Sequence, residues 1–420
     1  MTERLLQFIW QFRYFNLHEL RLETGEPLRV LFPGISNPDQ GADFLDARIR
    51  IDTALLAGNI ELHVKASDWT KHGHGEDRNY QPVILHVVWE NDLGYPRLPT
   101  LVLWDRVAKW RLSRFEEWRK KKESSFIACE KNAHRVAPEI WQTWKEELLV
   151  ARLKRKSARI QAFLQENRQH WEQVFWWLLA RNFGLRVNCE AFEAIARSLP
   201  LSLIRHHAGH LQQLEALLLG QAGLLEKDPR DEYARNLQRE YRFLRHKYRL
   251  EPVYRRVFLL RMRPGNFPAV RLAQLASLLL SCRGWLVFLL ETDSVSDLRA
   301  SLQGRVSSYW DHHYSIDTPS SGKPKHLSAE MADSILINTM APMLFAYGHL
   351  RNDPACCRKA IRWLQETGRE KNKITRAWED LGVVHLRAAD SQALLECKTH
   401  HCDPGHCLEC MVGRELLRRR

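Results

Sequence analysis

The sequence predicts an α+β protein: an N-terminal sheet domain of α-β-β-β-α-β order, then a large all-α region, then a short cysteine-rich tail. Three observations predict it. The hydrophobic period changes repeatedly over residues 1–110, helical spacing takes over from Trp110 to about residue 390, and four of the nine cysteines lie between 397 and 410. At 420 residues the chain exceeds the roughly 250 to 300 residues at which single cores stop growing, so more than one unit is expected.

The N-terminal elements follow in order. Apolar residues at helical spacing mark a first helix over Leu5–Tyr14, and Leu28–Phe32 reads as a strand. The loop PGISNPDQGAD is dense in turn formers. Ala47–Ile51 alternates apolar and basic residues, Asn59–Lys65 alternates strictly, and Val83–Trp89 is nearly continuous β-branched and apolar, as a central buried strand should be. The segment HGHGEDRNY has room for a loop and a short helix, and Leu101–Leu103 extends the sheet. Residues 111–137, with RFEEWRKKKESS, form a basic linker or connecting helix. Residues 138–390 form a helical domain with breaks at Gly184, Pro200, Gly220, Pro229, Pro252 and the turn RPGNFP, and 391–420 form the tail. No repeat of constant period is visible, which excludes a solenoid.

Composition narrows the function classes. A hydrophobic share of 45% and a charged share of 27% describe a folded protein. Glu3 and Arg4 sit in the first helix where a secretory signal would be apolar, and Gln274, Arg283 and Gly284 interrupt the stretch Leu272–Leu290. Neither a signal nor a membrane span is expected. An odd number of cysteines, mostly scattered, does not describe a secreted disulfide framework, so the cytoplasm is the expected compartment. The net charge of +13 favours anionic partners such as nucleic acid.

The chemistry concentrates in GNIELHVKASDW. Period-two alternation puts Glu61, His63 and Lys65 on one strand face. Asp43 ends the turn-rich loop before the preceding strand, so a hairpin would bring it to Glu61. Two adjacent carboxylates repel, which raises a pKa or recruits a hard cation such as Mg²⁺ or Mn²⁺. His63 or Lys65 would then orient or deprotonate a water while the ion polarises a phosphodiester. The alternatives are a satisfied polar network under covering helices and a site that binds without turnover.

This pattern resembles the PD-(D/E)XK nuclease superfamily of restriction-endonuclease-like fold, whose core has the same element order and whose metal acid precedes the strand carrying a second acid and a lysine. The resemblance covers residues 1–105 and implies that Asp43 is the first acid and Glu61 the second. The family lysine falls two residues after the second acid, where this chain has His63; Lys65 is four residues on. Across nearly the whole chain, the blocks GADFLDARI, GNIELHVKASDW, HGHGEDRNYQPVILHVVWEND, NFGLRVN, RPGNFPAVRLAQLA and CLECMVG resemble the bacterial family catalogued as domain of unknown function 2851. That resemblance implies a shared fold and supplies no activity.

Asp68, His72, His74, Asp77 and His86 are candidates to line the same cleft. The H-x-H-x-E-D spacing also resembles the metal-binding motif of metallo-β-lactamase-type hydrolases, which implies Zn²⁺ at His72, His74 and His86; helix capping is the plainer reading. Arg235, Arg239, Arg242, His246 and Arg249 share one helix face opposite Leu237 and Tyr241, and Arg152, Arg155, Lys156 and Arg159 repeat the pattern. Such stripes fit a phosphate backbone and fit a solvated face equally well. Arg263 and Asn266 stand before a helix start that an anion would suit. In CKTHHCDPGHCLEC, Cys397, Cys402, Cys407 and Cys410 have the density of a Zn²⁺ site or, less often, an iron–sulfur cluster.

The leading expectation is a metal-dependent nuclease or phosphodiesterase with Asp43 and Glu61 as ligands and the basic helices as a clamp. A non-catalytic nucleic-acid-binding or scaffold protein, and a metal-dependent hydrolase of a small anionic substrate, are the alternatives.

Overall fold

The computed structural model describes the chain apart from residues 38–39, 75, 94–97, 122–124, 228, 252, 254–256, 260–263, 281–283 and 419–420. Thr2 opens the first helix, α1 (Glu3–Gln11), by accepting the Leu5 N–H on its hydroxyl at 3.3 Å, which satisfies one donor that a helix start leaves open. Leu5, Leu6, Phe8, Ile9 and Trp10 bury one side of α1. Trp10 donates its indole N–H to the Pro33 carbonyl at 2.9 Å, so its burial leaves no polar group unmet.

Six strands follow: β1 (Leu28–Phe32), β2 (Ile35–Ser36), β3 (Phe44–Ile51), β4 (Ala54–Lys65), β5 (Val83–Glu90) and β6 (Thr100–Val102). They form one sheet in the order β1-β3-β4-β5-β6, with β2 paired to β3. The β1–β3 and β3–β4 pairs are antiparallel, whereas β4–β5 and β5–β6 are parallel. The strand carrying Glu61 is therefore inside the sheet, at the seam between its antiparallel and parallel halves.

Local sequence explains this geometry. Ile51 pairs with Ala54 across a two-residue connection whose first residue, Asp52, has φ 50°, a left-handed conformation that aspartate tolerates. Phe44 pairs with Ile60 but Ala47 with Gly58, so β3 carries an extra residue near Asp46 (φ 57°). Such a bulge sharpens the local twist beside Asp43. At Gly58 a Cβ would stand 2.5 Å from Ile84 Cγ2 and 2.6 Å from the Pro82 carbonyl, so glycine is what lets β5 approach. The crossover from β4 to β5 carries α2 (Asp68–Lys71) and a 3₁₀ turn, Arg78–Tyr80.

The described chain falls into two units: Met1–Trp144 with Leu381–Val383 and Cys397–Arg420, and Lys145–Asp380 with Val384–Glu396. The four consecutive stretches expected from sequence, divided at 110, 137 and 390, are thus grouped differently. In the first unit α3 (Lys109–Lys121) holds the C-terminal helix Met411–Arg418: Arg111 donates to the Leu417 carbonyl at 2.8 Å and Arg114 to that of Leu416 at 2.5 Å. Cations at the end of a helix satisfy carbonyls that lack an intrahelical donor. Arg4 pairs with Glu409 in the same unit.

The second unit is mostly helical, beginning in α4 (Pro138–Glu166). It is not purely α, because His313–Ser315 and Thr318–Pro319 form a small hairpin that turns at Asp317, φ 56°. Gly184 and Pro200 separate helices as expected, but Gly220 lies inside the helix Leu211–Gln221, where a Cβ would collide with the Tyr241 ring. There glycine serves packing, not termination. The expected break at Pro252 lies outside the described residues. Among the described residues no helix is long and apolar enough to cross a membrane.

Candidate functional site

Asp43 and Glu61 are tied together through the backbone N–H groups of Asp43 itself and of Leu62. The Asp43 N–H donates to Glu61 Oε2 at 3.0 Å, and the N–H of Leu62 donates to Asp43 Oδ2 at 3.0 Å. Gln7, on α1, donates to Asp43 Oδ1 at 2.8 Å. The hairpin register and the β3 bulge place the end of the Pro33–Ala42 loop directly against the middle of β4. Glu61 is 5% exposed and Asp43 is half-buried.

Burial pushes the Glu61 carboxyl up to about 8, with the Asp43 carboxylate beside it the next cause. Burial also raises Asp43 to about 6, against the lowering effect of the Leu62 N–H, and Glu3 adds repulsion to both. Among the described residues no lysine or arginine pairs with either acid. Two partly buried carboxylates with only neutral donors around them either keep a proton or need a cation beside them.

Two imidazoles lie against the Glu61 carboxylate, and two more join them. His74 Nε2 lies 3.4 Å and His63 Nε2 3.6 Å from Glu61 Oε1. His63 is 1% exposed and bridges two further rings: its Nδ1 is 2.9 Å from His86 Nε2, and its Nε2 is 3.2 Å from His72 Nδ1. A chain of three imidazoles thus runs from buried His86 through His63 to exposed His72. Burial drives His63 down to about 3 and His86 to about 4, so both are neutral near pH 7. Trp69 packs its edges on His63 and His74, and Tyr80 stacks on His74 at 3.8 Å.

His63, His72 and His74 each offer a nitrogen within 4.8 Å of the others. The spacing groups His72 and His74 with His86; the structure brings them together with His63. His63 on β4 faces the loop histidines, while His86 on β5 sits behind His63 as its hydrogen-bond partner. The donor chemistry divides accordingly: paired carboxylate oxygens suit a hard ion such as Mg²⁺ or Mn²⁺, and neutral nitrogens suit a transition metal.

Other expected site residues land elsewhere. Lys65 is exposed at the end of β4, where its charge helps lower Asp92, after Ser67's hydrogen bonds. Asp68 accepts the Lys65 N–H at 3.1 Å and pairs with Lys71 at 2.8 Å; Asp77 caps the 3₁₀ turn by accepting the Asn79 N–H at 2.9 Å. Asp77 acts as a local cap, and Asp68 ties the end of β4 to the start of α2. Sequence reasoning missed Glu3 and Gln7, although their i, i+4 spacing on an amphipathic helix was a usable signal.

The two basic stripes differ. Arg152 and Arg155 converge on Glu396, which is 1% exposed, at 3.5 and 2.7 Å, and Arg159 lies 3.9 Å from Glu193. These arginines are committed to partners within their own unit. Arg235, Arg239 and Arg242 instead lie on the exposed face of the helix Glu232–Tyr248, and Arg249 caps it at φ 52°. Arg263 lies outside the described residues, and Asn266 accepts from Arg271 at 2.6 Å. Cys397, Cys402, Cys407 and Cys410 gather with Cys129 in the first unit.

Fold and site together define an α+β protein whose mixed sheet holds an acid pair against a histidine cluster at its central strand. The chain belongs to the family described as "Protein of unknown function (DUF2851)", whose model matches residues 3–373. No curated protein and no solved structure matches it.

Proposed function

We propose that the protein is a metal-dependent phosphodiesterase acting on nucleic acid, with Asp43 and Glu61 holding Mg²⁺ or Mn²⁺. The observation that carries this reading is the interlocked acid pair, partly buried, raised in pKa and without a cationic partner among the described residues. Its sheet order and the placement of both acids agree with the PD-(D/E)XK resemblance. A bound divalent ion supplies stabilisation for charge developing on a phosphoryl oxygen. Asp43 and Glu61 fix its position, the Gln7 amide and the Leu62 N–H orient Asp43, and Glu3 adds negative charge at the rim. His74, at 3.4 Å from Glu61, is placed to orient a water beside that carboxylate. The chain His86–His63–His72 gives a proton a route between the interior and solvent. Lys65 has no part in this scheme.

The reading is tested by incubating the full-length protein with single- and double-stranded DNA and RNA in Mg²⁺ and in Mn²⁺. Glu61→Gln and Asp43→Asn serve as paired variants. Metal-dependent cleavage abolished by both substitutions is expected. Cleavage that survives Glu61→Gln rejects the site, and binding without cleavage under every condition favours a scaffold role.

A second reading rests on the nitrogen trio His63, His72 and His74, which suits Zn²⁺ and a small anionic substrate. Loss of one equivalent of Zn²⁺ per chain in His72→Ala, beyond any held by the cysteines, with that equivalent kept in Asp43→Asn, would favour it.

A further inference from the structure

The sheet face that carries Glu61 and His63 continues past them as an exposed cationic surface. Alternation along β4 sets Leu55, Ala57 and Asn59 on the same side as Glu61 and His63. Pairing across the strands extends that side. Arg50 stands opposite Leu55 and Arg29 opposite Arg50, while Arg48 stands opposite Ala57 and Phe32 opposite Arg48. An extra residue at Leu31 is what turns Phe32 onto this face. Two rows therefore cross β1, β3 and β4: Arg29, Arg50, Leu55 and Phe32, Arg48, Ala57. At about 3.3 Å per residue along β4, the second row lies about 13 Å from Glu61 and the first about 20 Å.

All three arginines are exposed, and among the described residues no carboxylate pairs with any of them. Asp46 at the β3 bulge and Asp52 in the hairpin turn are near in sequence but form no ion pair with them. Like charges directly opposite each other in a sheet repel, so Arg29 and Arg50 weaken the strand pair they belong to. An anion laid over both removes that repulsion. The apolar members of the rows are open as well, with Phe32 41% and Leu55 63% exposed.

Uncompensated arginines interleaved with exposed apolar groups suit a ligand that presents both anions and apolar faces. Single-stranded nucleic acid does, because its phosphates and the flat faces of its bases are accessible together. A duplex stacks its bases away and offers this face phosphates alone, leaving Phe32 and Leu55 without a contact. A second copy of the chain would set arginine against arginine. We propose that this face of β1, β3 and β4 is a track that leads a single strand to the acid pair, with Arg29, Arg48 and Arg50 on phosphates and Phe32 and Leu55 against bases. The proposal rests on the nucleic-acid reading above and specifies that the part of the substrate entering the site is single-stranded.

The test is fluorescence anisotropy of the full-length protein with a labelled mixed-sequence oligonucleotide, as a single strand and as a duplex, in EDTA so that binding is read without cleavage. Arg29→Ala/Arg50→Ala should lower the single-strand salt slope by about 1.4 and leave the duplex slope unchanged. Phe32→Ala should weaken single-strand binding about tenfold at an unchanged slope. A wild-type chain that does not bind the single strand, or equal losses on both forms, overturns the proposal. So does a polyglutamate peptide that displaces the single strand as well as unlabelled oligonucleotide does, or a wild-type dimer that Phe32→Ala dissociates. If a variant fails to fold, photo-crosslinking of the wild type to a thiouridine-bearing single strand decides: cross-links to the peptides holding Phe32 and Arg48 are expected, and cross-links confined to other elements refute the track. Loss of slope in a chain that never cleaves leaves the track standing without the enzyme, and cleavage with an unchanged slope does the reverse.

Discussion

Replacing Glu61 by glutamine should make the metal-free protein more stable at alkaline pH, the reverse of what removing a buried structural carboxylate does. Glu61 rises from 4.5 to about 8 on folding. Between those values the folded chain holds a proton that the unfolded chain has released, so stability falls as pH rises through the window and levels off above 8. One proton corresponds to about 1.4 kcal/mol per pH unit, and the whole rise to about 5 kcal/mol. The amide carries no such penalty, but it returns about 1 kcal/mol by placing an N–H₂ group where an acceptor stood. The net expectation is a variant about 2 to 4 kcal/mol more stable at pH 8 and equal or slightly weaker at pH 5. The assay is urea unfolding in EDTA, followed by tryptophan fluorescence, at pH 5, 6, 7 and 8 for both chains. Asp43 contributes a similar slope between 3.8 and about 6 in both, so the difference isolates Glu61. Adding Mg²⁺ or Mn²⁺ at pH 8 should then stabilise the wild type alone, by linkage of binding to folding. Parallel pH profiles, or a variant weaker at pH 8, would refute the reasoning and leave Glu61 as a satisfied member of a polar network.

Two further outcomes follow from the basic stripes. Glu396→Gln removes the acceptor that Arg152 and Arg155 share, leaving Arg152 with Gln392 and the half-exposed Arg155 with solvent, and should cost about 2 kcal/mol by urea unfolding; a neutral effect would mean that the pairs contribute nothing. Under the proposed nucleic-acid reading, Arg235→Ala/Arg239→Ala should lower the salt slope of duplex binding by about 1.8 while Arg155→Ala leaves it unchanged, and equal slopes in all three chains would remove that face from the interface.

Much of the sheet was legible because strand signals are local. Alternation in β4 and the β-branched run of β5 place both strands to within a few residues, and the short links predict the hairpin. Ala54–Gly58 joins β4 without any propensity of its own, because the β3 partner supplies its ladder. What alternation gives is a face, not a distance along it, which is why Lys65 shares the face of Glu61 and still falls outside the site. The identity of the loop-facing histidine was equally hidden. Spacing groups His72 and His74 with the next histidine in sequence, whereas the crossover lays them over His63 on the preceding strand.

Helix faces carry the same limit. The stripe on α4 and the stripe near Arg239 look alike in sequence, yet Arg152, Arg155 and Arg159 pair with Glu396 or Glu193, whereas Arg235, Arg239 and Arg242 stand on an exposed helix face. Nothing local in sequence announces those acids, and the acid that pairs with Arg152 lies at the far end of the second unit in sequence.

The histidine at position 63 alters the electrostatics of the site more than its shape. A lysine two residues after Glu61 would set a full positive charge beside two carboxylates and draw both pKa values down. His63, driven to about 3 by burial and by its imidazole neighbours, supplies no charge near pH 7. With no lysine or arginine paired to the acids among the described residues, a divalent ion would be the compensating charge under the proposed metal-dependent reading. Its binding must then displace protons held at about 6 on Asp43 and about 8 on Glu61. Metal affinity in such a site climbs steeply with pH between those values. In that reading the neutral imidazole chain His86–His63–His72 would offer the released protons a hydrogen-bonded route outward.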